Sequence, residues 1–412
     1  MPEVFYNWVI LRISTRTASG DLLFMAMTFG EVAKELPSVI KDVYENQVTK
    51  KFKTISPTVL HVNATLRCNT KCTMCNIWEL KATDALTIEQ LDEIFADPVY
   101  QRIEYIILAG GEPTLRKDLP EMVETMHKHM PRLKKLMIAS NVINRASVQK
   151  QYPKIARYCH NHKIRLTLGV SLDGVGEMHD KVRGVPGAFD MVMENVKFMQ
   201  DLQKEVPFGM SIDPTIFSMN VQEMQKLKNF AEELNLPITF QFAAMADGYY
   251  NNSALEDVIS VDRAGRRSIV EFLKRQIAQS SLFDALAYYY AEVIEQSQGA
   301  KERNLPCPFA DQGMLLNPDG SVQYCHNSQP IGNALETPSS ELYYSSENLA
   351  YRRDTIQGKN CSSCQMSCLF FVSLRKELFP FLSFMAKRIV GINRLHWRQP
   401  KPALTTTQGE QS

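Results

Sequence analysis

Along residues 57–246, short apolar runs alternate with longer stretches whose apolar positions recur every three or four residues. The runs are Val59–Val62, Tyr105–Leu108, Leu136–Ala139, Ile164–Leu172, Phe208–Ile212 and Ile238–Phe242. The helical stretches between them include Ile88–Phe95, Leu119–Lys128, Val148–His160, Phe189–Glu205 and Val221–Leu234. A continuous apolar run suits a strand buried on both faces, whereas three-and-four spacing suits a helix with one buried face. Strand and helix in this alternation predict βαβ units and a parallel sheet. Six strands fit an open, partial (β/α)6 TIM-like barrel of the α/β class. Loops after the strands of such a barrel gather on one face, which is where ligands sit.

The remaining chain divides by pattern. Residues 1–56 read as a helical lead-in, with helical periodicity from Glu31 to Tyr44. A turn-rich piece beginning at Asp247 opens a helical linker over 247–300. Residues 301–368 form a small cysteine-rich α+β module. It carries a hairpin in Met314–Cys325, with Pro318 and Gly320 at the turn. Residues 369–412 hold an amphipathic helix followed by a polar tail expected to be disordered. In that helix Phe371, Leu374, Leu378, Phe381, Met385, Ile389 and Ile392 share helical spacing, and Pro380 is expected to kink it.

Composition narrows the function. The 412 residues carry a formal net charge of +1, so nothing in the charge balance points to nucleic acid. The start, Met-Pro-Glu-Val-Phe-Tyr-Asn-Trp, lacks a secretory pattern, and no apolar run approaches the roughly 20 residues of a spanning helix. A cytoplasmic protein is the expectation. There the nine cysteines point to metal ligation rather than to disulfides.

Cys68, Cys72 and Cys75 lie on one loop directly after the first strand. Three thiolates at this spacing can each hold a different iron of a cubane, leaving one iron open for chemistry. Gly110-Gly111-Glu112-Pro113 follows the second strand, where glycine lets backbone approach a ligand. Together these motifs resemble the radical S-adenosylmethionine (SAM) superfamily across roughly residues 55–370. The resemblance implies a 4Fe–4S cluster held by Cys68, Cys72 and Cys75, with SAM lying across Gly110, Gly111, Glu112 and Pro113. It further implies SAM contacts from Ser140 and Asn141, from Ser171 and Asp173, and from Arg183 and Asn220. Met74 stands where such enzymes usually place an aromatic residue, and its thioether can make the same packing contact. Turn and capping chemistry is the plainer reading of Ser140, Ser171 and Asn220. Cys159 reads as a buried structural thiol.

The second cysteine set is Cys307, Cys325, Cys361, Cys364 and Cys368. With the Gly320-x4-Cys325 step it resembles the extension called SPASM, in its shorter twitch form. That implies one auxiliary 4Fe–4S cluster on Cys307, Cys325, Cys361 and Cys364, with Cys368 replacing Cys364 or standing spare. A structural zinc on four of the five is the alternative. An auxiliary cluster suits an oxidative outcome, either dehydrogenation or peptide modification. A redox-neutral epimerase or deoxygenase, or a lipid- or glycan-modifying enzyme with a structural second metal site, is the alternative, and a non-enzymatic iron–sulfur protein is the third. The expected partners are a flavodoxin or ferredoxin as low-potential donor and a peptide, small-molecule or lipid- or glycan-linked substrate. Residues 369–395 could contact a membrane surface. No residue identifies the substrate or a general base.

Overall fold

The computed structural model describes residues 52–80, 85–280, 284–297, 307–361, 364 and 378–390, together with residues 44 and 49. The helical expectation for 31–44 therefore lies almost wholly outside the described residues, as do Cys368 and the polar tail.

Five parallel strands form the barrel wall: β1 (Val59–Asn63), β2 (Tyr105–Ala109), β3 (Lys135–Ser140), β4 (Arg165–Val170) and β5 (Gly209–Ile212). They pair in chain order, each in parallel register with the next. After β5 the chain continues into β6 (Thr215–Ile216), which pairs with β7 (Gln241–Phe242), and Ile212 bridges Ile238 in parallel. The sixth wall segment expected at 238–242 is thus present as a bridge and a two-residue strand.

Every residue of β1 and β2 is buried, which is why both read as unbroken apolar runs. Leu60, Val62, Ile106 and Leu108 face the outer helices, whereas Val59, Tyr105, Ile107 and Ala109 face a separate inner cluster. The outer layer contains α1 (Ile88–Phe95), α2 (Leu119–His129), α3 (Arg145–Asn161), α4 (Glu177–Arg183), α5 (Ala188–Glu205) and α6 (Met224–Glu233). Thr87 starts α1 with a complete capping box, its side chain accepting from the Gln90 amide and Gln90 answering to the Thr87 amide. α4 has only seven residues, most of them polar or charged, and its periodicity is too short to register in the sequence.

Neither 247 nor 301 marks a break in the core. α7 (Arg263–Gln279) and α8 (Ala285–Ser297) pack into the same hydrophobic cluster as the barrel strands. The expected hairpin is β8 (Gly313–Leu316) with β9 (Ser321–Gln323), and β10 (Gly332–Asn333) adds antiparallel to β9. β8 also pairs in parallel with β1. The C-terminal strands therefore extend the barrel sheet, giving the order β10-β9-β8-β1-β2-β3-β4-β5.

Beyond the hairpin lie α9 (Ser339–Tyr344), α10 (Ser346–Tyr351) and a π-helical segment, Arg352–Asn360. α11 (Leu378–Ile389) seats Phe381 and Phe384 against Tyr288 of α8. Pro380 lies within α11 as described.

Candidate functional site

The cysteine loop is held by backbone contacts on two sides. On one side the Gly111 amide donates to Thr65 O at 2.7 Å and the Glu112 amide to Arg67 O at 2.8 Å. This approach requires glycine: a Cβ on Gly111 would fall 2.2 Å from Arg67 O, and one on Gly110 2.4 Å from Thr65 O. Gly110 also holds φ at +124°. On the other side the Lys71 and Thr73 amides donate to the carbonyls of Arg183 and Val182 at the end of α4, both at 2.9 Å.

Cys68, Cys72, Cys75 and Met74 line one cavity together with Gly110, Gly111, Glu112, Ser140, Asn141, Ser171 and Arg183. The cavity volume is about 190 Å³. The Thr70 hydroxyl lies 3.1 Å from the Cys68 sulfur and 3.3 Å from that of Cys72. Burial pushes the Cys68 thiol up and takes Cys75 to about 12, so a metal must displace their protons to bind. Arg183 Nη1 stands 3.6 Å from the Cys72 sulfur, a fixed positive charge where thiolates would gather. Burial opposes the charge on Arg183, but Asp173 and the Cys72 thiol outweigh it and raise its pKa. Among the described residues no three His, Cys, Asp or Glu side chains group as ligands of one metal ion. A cubane takes each thiolate at a different iron, and three thiols lining one cavity suit it. The donor set fits the cluster.

Several residues expected at SAM also brace the cavity wall. The Glu112 carboxylate accepts from the Thr114 amide and hydroxyl, the Ser140 hydroxyl and the Asn141 amide, all within 3.0 Å. It ties the β2 loop to the end of β3. Asn141 Nδ2 donates to Asn69 Oδ1 at 2.8 Å, carrying the same brace into the cysteine loop. Pro113 is buried at the start of the short turn that follows.

Asp173 is fully buried and does not line the cavity. Its carboxylate lies 2.7 Å from Arg183 Nη2 and accepts from the Thr215 amide. Asn220 lies behind it, donating to the carbonyls of Asp173 and Thr215 and accepting from the Phe217 amide. Asp173 and Asn220, expected at SAM, thus lie outside the cavity lining, and both side-chain polar atoms of Asn220 are engaged in this buried scaffold. Arg183 Nη2 also donates to Ser171 O at 3.0 Å. His179 accepts from the Asp173 amide, and burial drops its pKa to about 3, so the ring is neutral.

Sequence reasoning missed the far side of the cavity, which comprises Met137, Asp213, Thr215, Gln241–Ala244, Tyr250 and Asn252. Asn252 Nδ2 donates to Met74 O, and Tyr250 O accepts from the Asn76 amide. The turn-rich composition of 247–253 was the available signal.

The second cysteine set also converges. Cys307, Cys361 and Cys364 all lie near enough to Cys325 to add to the burial that pushes its thiol up to about 12. Arg352 holds this region, donating to Phe309 O, Ala310 O and the Tyr343 hydroxyl. Its guanidinium carbon also stands 4.3 Å from the ring centre of Tyr324. A buried polar chain leads to the barrel: His326 meets His61 at 3.2 Å, and His61 meets Asn63 at 3.0 Å on β1. Cys307 and Cys325 pack against the inner barrel cluster. Cys159 is buried in α3, as expected of a structural thiol.

Residues 62–231 match the radical SAM superfamily. Fe-coproporphyrin III synthase of Methanosarcina barkeri is 30% identical over 216 residues, covering 52% of this chain and 48% of that protein. AdoMet-dependent heme synthase of the same organism is 23% identical over 334 residues, covering 76% and 89%. The chain spans about half the length of the first curated relatives it matches. Streptococcus suis SuiB, solved with S-adenosylmethionine, shares the fold at TM-score 0.53 and 18% identity, covering 81% of this chain and 76% of its own. SuiB has also been solved with its precursor peptide SuiA. Three loop thiols, the glycine turn that seats them and the matched barrel agree: residues 62–231 of this chain form a radical SAM domain.

Proposed function

We propose that this chain cleaves SAM reductively and uses the product to oxidise a small organic substrate. The observation that carries this reading is the opening of Cys68, Cys72, Cys75 and the Gly110–Gly111 turn into one cavity. A 4Fe–4S cluster and SAM bound there supply a 5′-deoxyadenosyl radical able to take a hydrogen atom from an unactivated carbon. The chain's own part is to hold and exclude. Cys68, Cys72 and Cys75 ligate, and Arg183 supports thiolate charge at Cys72. Gly110, Gly111, Met74, Ser140, Asn141 and Ser171 line the space that SAM takes, with Glu112 fixing Ser140 and Asn141 in place.

Cys307, Cys325, Cys361 and Cys364 hold an auxiliary 4Fe–4S cluster in this reading. The packing of Cys307 and Cys325 against the inner barrel cluster supports a role in taking an electron from the substrate. A ferredoxin or flavodoxin supplies the first electron, since such clusters sit at low potential. The names of the curated relatives, both synthases of tetrapyrroles, favour a small-molecule substrate over a peptide. Peripheral membrane contact is supported by the outward face of α11, where Phe379, Leu382 and Ile389 are exposed, with exposed Val390 directly after it.

Anaerobic reconstitution followed by dithionite and SAM tests the reading. We expect 5′-deoxyadenosine from the wild type and none from Cys72→Ala. A fully reconstituted wild type that yields none refutes it. About eight irons per chain supports two cubanes, and about four irons with one zinc rejects the auxiliary cluster.

A further inference from the structure

The cavity wall is built from the ends of five strands, and the first four bear the residues discussed above. Asp213 directly follows the fifth, and its amide donates to Val170 O at 2.9 Å and so pins it beside β4. Its Oδ2 accepts from the Ser211 hydroxyl at 3.0 Å. The neighbouring strand makes room for this carboxylate: a Cβ on Gly169 would lie 2.4 Å from Asp213 Oδ2, so any side chain there would displace it. On the same wall stand Met137, Ala139, Thr215 and Gln241.

The other charged side chains of that wall are already committed. Glu112 is consumed by four hydrogen bonds and Arg183 by Asp173, Ser171 O and Cys72. Lys135 is the cation that acts on Asp213, but it starts β3, lies over the Tyr105 ring and makes no hydrogen bond to the carboxylate. This half-buried carboxylate receives one side-chain hydrogen bond among the described residues, from the Ser211 hydroxyl, so a ligand that brings a further donor gains a hydrogen bond there. Burial pushes the Asp213 carboxyl up to about 7, partly offset by Ser211 and Lys135, so both its protonation states are accessible near neutrality.

We propose that Asp213 is a substrate-binding residue, and that the substrate presents an amine or hydroxyl donor, rather than a carboxylate, to the β5 side of the cavity. The inference rests on the reading of this cavity as the SAM and substrate site. In that order around the barrel, β1 to β4 carry the cofactor side and β5 carries the substrate side. The reaction thereby gains a fixed point that selects for a donor group near the carbon to be attacked.

The test uses the reconstituted full chain with SAM bound and ethanolamine and propionate as small probes, followed by calorimetry at pH 8. Ethanolamine should bind the wild type, and its affinity should fall at least tenfold in Asp213→Asn and Asp213→Ser. Propionate should bind wild type no better than either variant. SAM affinity and substrate-free formation of 5′-deoxyadenosine should change less than twofold in both variants. Unchanged ethanolamine affinity in both, or preferential binding of propionate to wild type, overturns the proposal. So does a parallel loss of SAM affinity, which would assign the carboxylate to the cofactor instead. Failure of the radical SAM reading would look different: the wild type itself would form no 5′-deoxyadenosine.

Discussion

Arg183 donates to the Cys72 sulfur across 3.6 Å while its other terminal nitrogen lies 2.7 Å from Asp173. One guanidinium therefore joins a proposed cluster ligand to a carboxylate with no exposure to solvent. Removing one partner of a buried pair leaves the other charge uncompensated. Asp173→Ala should cost about 3–5 kcal/mol of stability in urea unfolding of the metal-free chain. Arg183→Lys should also fail to restore the site, because one ammonium cannot reach Asp173, Ser171 O and Cys72 together. A Lys variant that retains full iron after anaerobic desalting would refute this role.

Gly111→Ala should displace the cysteine loop. The added methyl would meet backbone at 2.2 Å, and backbone cannot swing aside as a side chain can. Iron incorporation should fall severalfold while the outer helices persist, read as iron per chain alongside far-ultraviolet circular dichroism. Normal iron loading in that variant would show that the loop can seat without the contact.

Asp213 should leave a signature in the pH dependence of stability. Its folded pKa of about 7 lies above the ordinary 3.8. Between those values the folded carboxyl keeps a proton that the unfolded one has lost, so its contribution to stability falls as pH rises from about 4 to 7 and then levels. The span is on the order of 4 kcal/mol for an isolated group. Asp213→Asn removes this titration, so the variant should gain on wild type across that window. Unfolding free energies at a series of pH values check it; a constant difference from pH 4 to 8 would contradict it.

The outward face of α11 predicts surface binding. Phe379 and, directly after the helix, Val390 are 69% and 71% exposed, and Lys387 lies on the same helix as Phe379. The double variant Phe379→Glu, Leu382→Glu should lose co-sedimentation with anionic vesicles while keeping its melting temperature within a few degrees. Equal pelleting of wild type and variant would remove the membrane reading.

The barrel was legible because its strands are buried on both faces and so read as apolar runs. The cysteine loop and glycine turn were legible because their spacing is local. What escaped depends on contacts distant in sequence. Glu112 stands beside the glycines in the chain, yet its carboxylate serves Ser140 and Asn141, nearly thirty residues on. Asp173 and Asn220 were expected at the ligand because they follow strands, but they are turned inward to hold each other's loops. Asp213 stands directly after an apolar strand, but no family motif marks it. The pairing of β8 with β1 has no local signature at all.

That pairing has a consequence for how the molecule is made. During synthesis β1 and its cysteine loop emerge about 250 residues before the segment that will cover the strand's outer edge. Until then the five residues of β1 present unpaired amides and carbonyls on one side, an invitation to association with other chains. A ribosome-bound barrel is thus an unfinished sheet, and its completion waits on a contact of high sequence separation, which slows folding. Iron delivered before β8 arrives would meet a loop anchored by β2 and α4 alone. Truncation anywhere before Gly313 should therefore give an aggregating barrel rather than a smaller working enzyme.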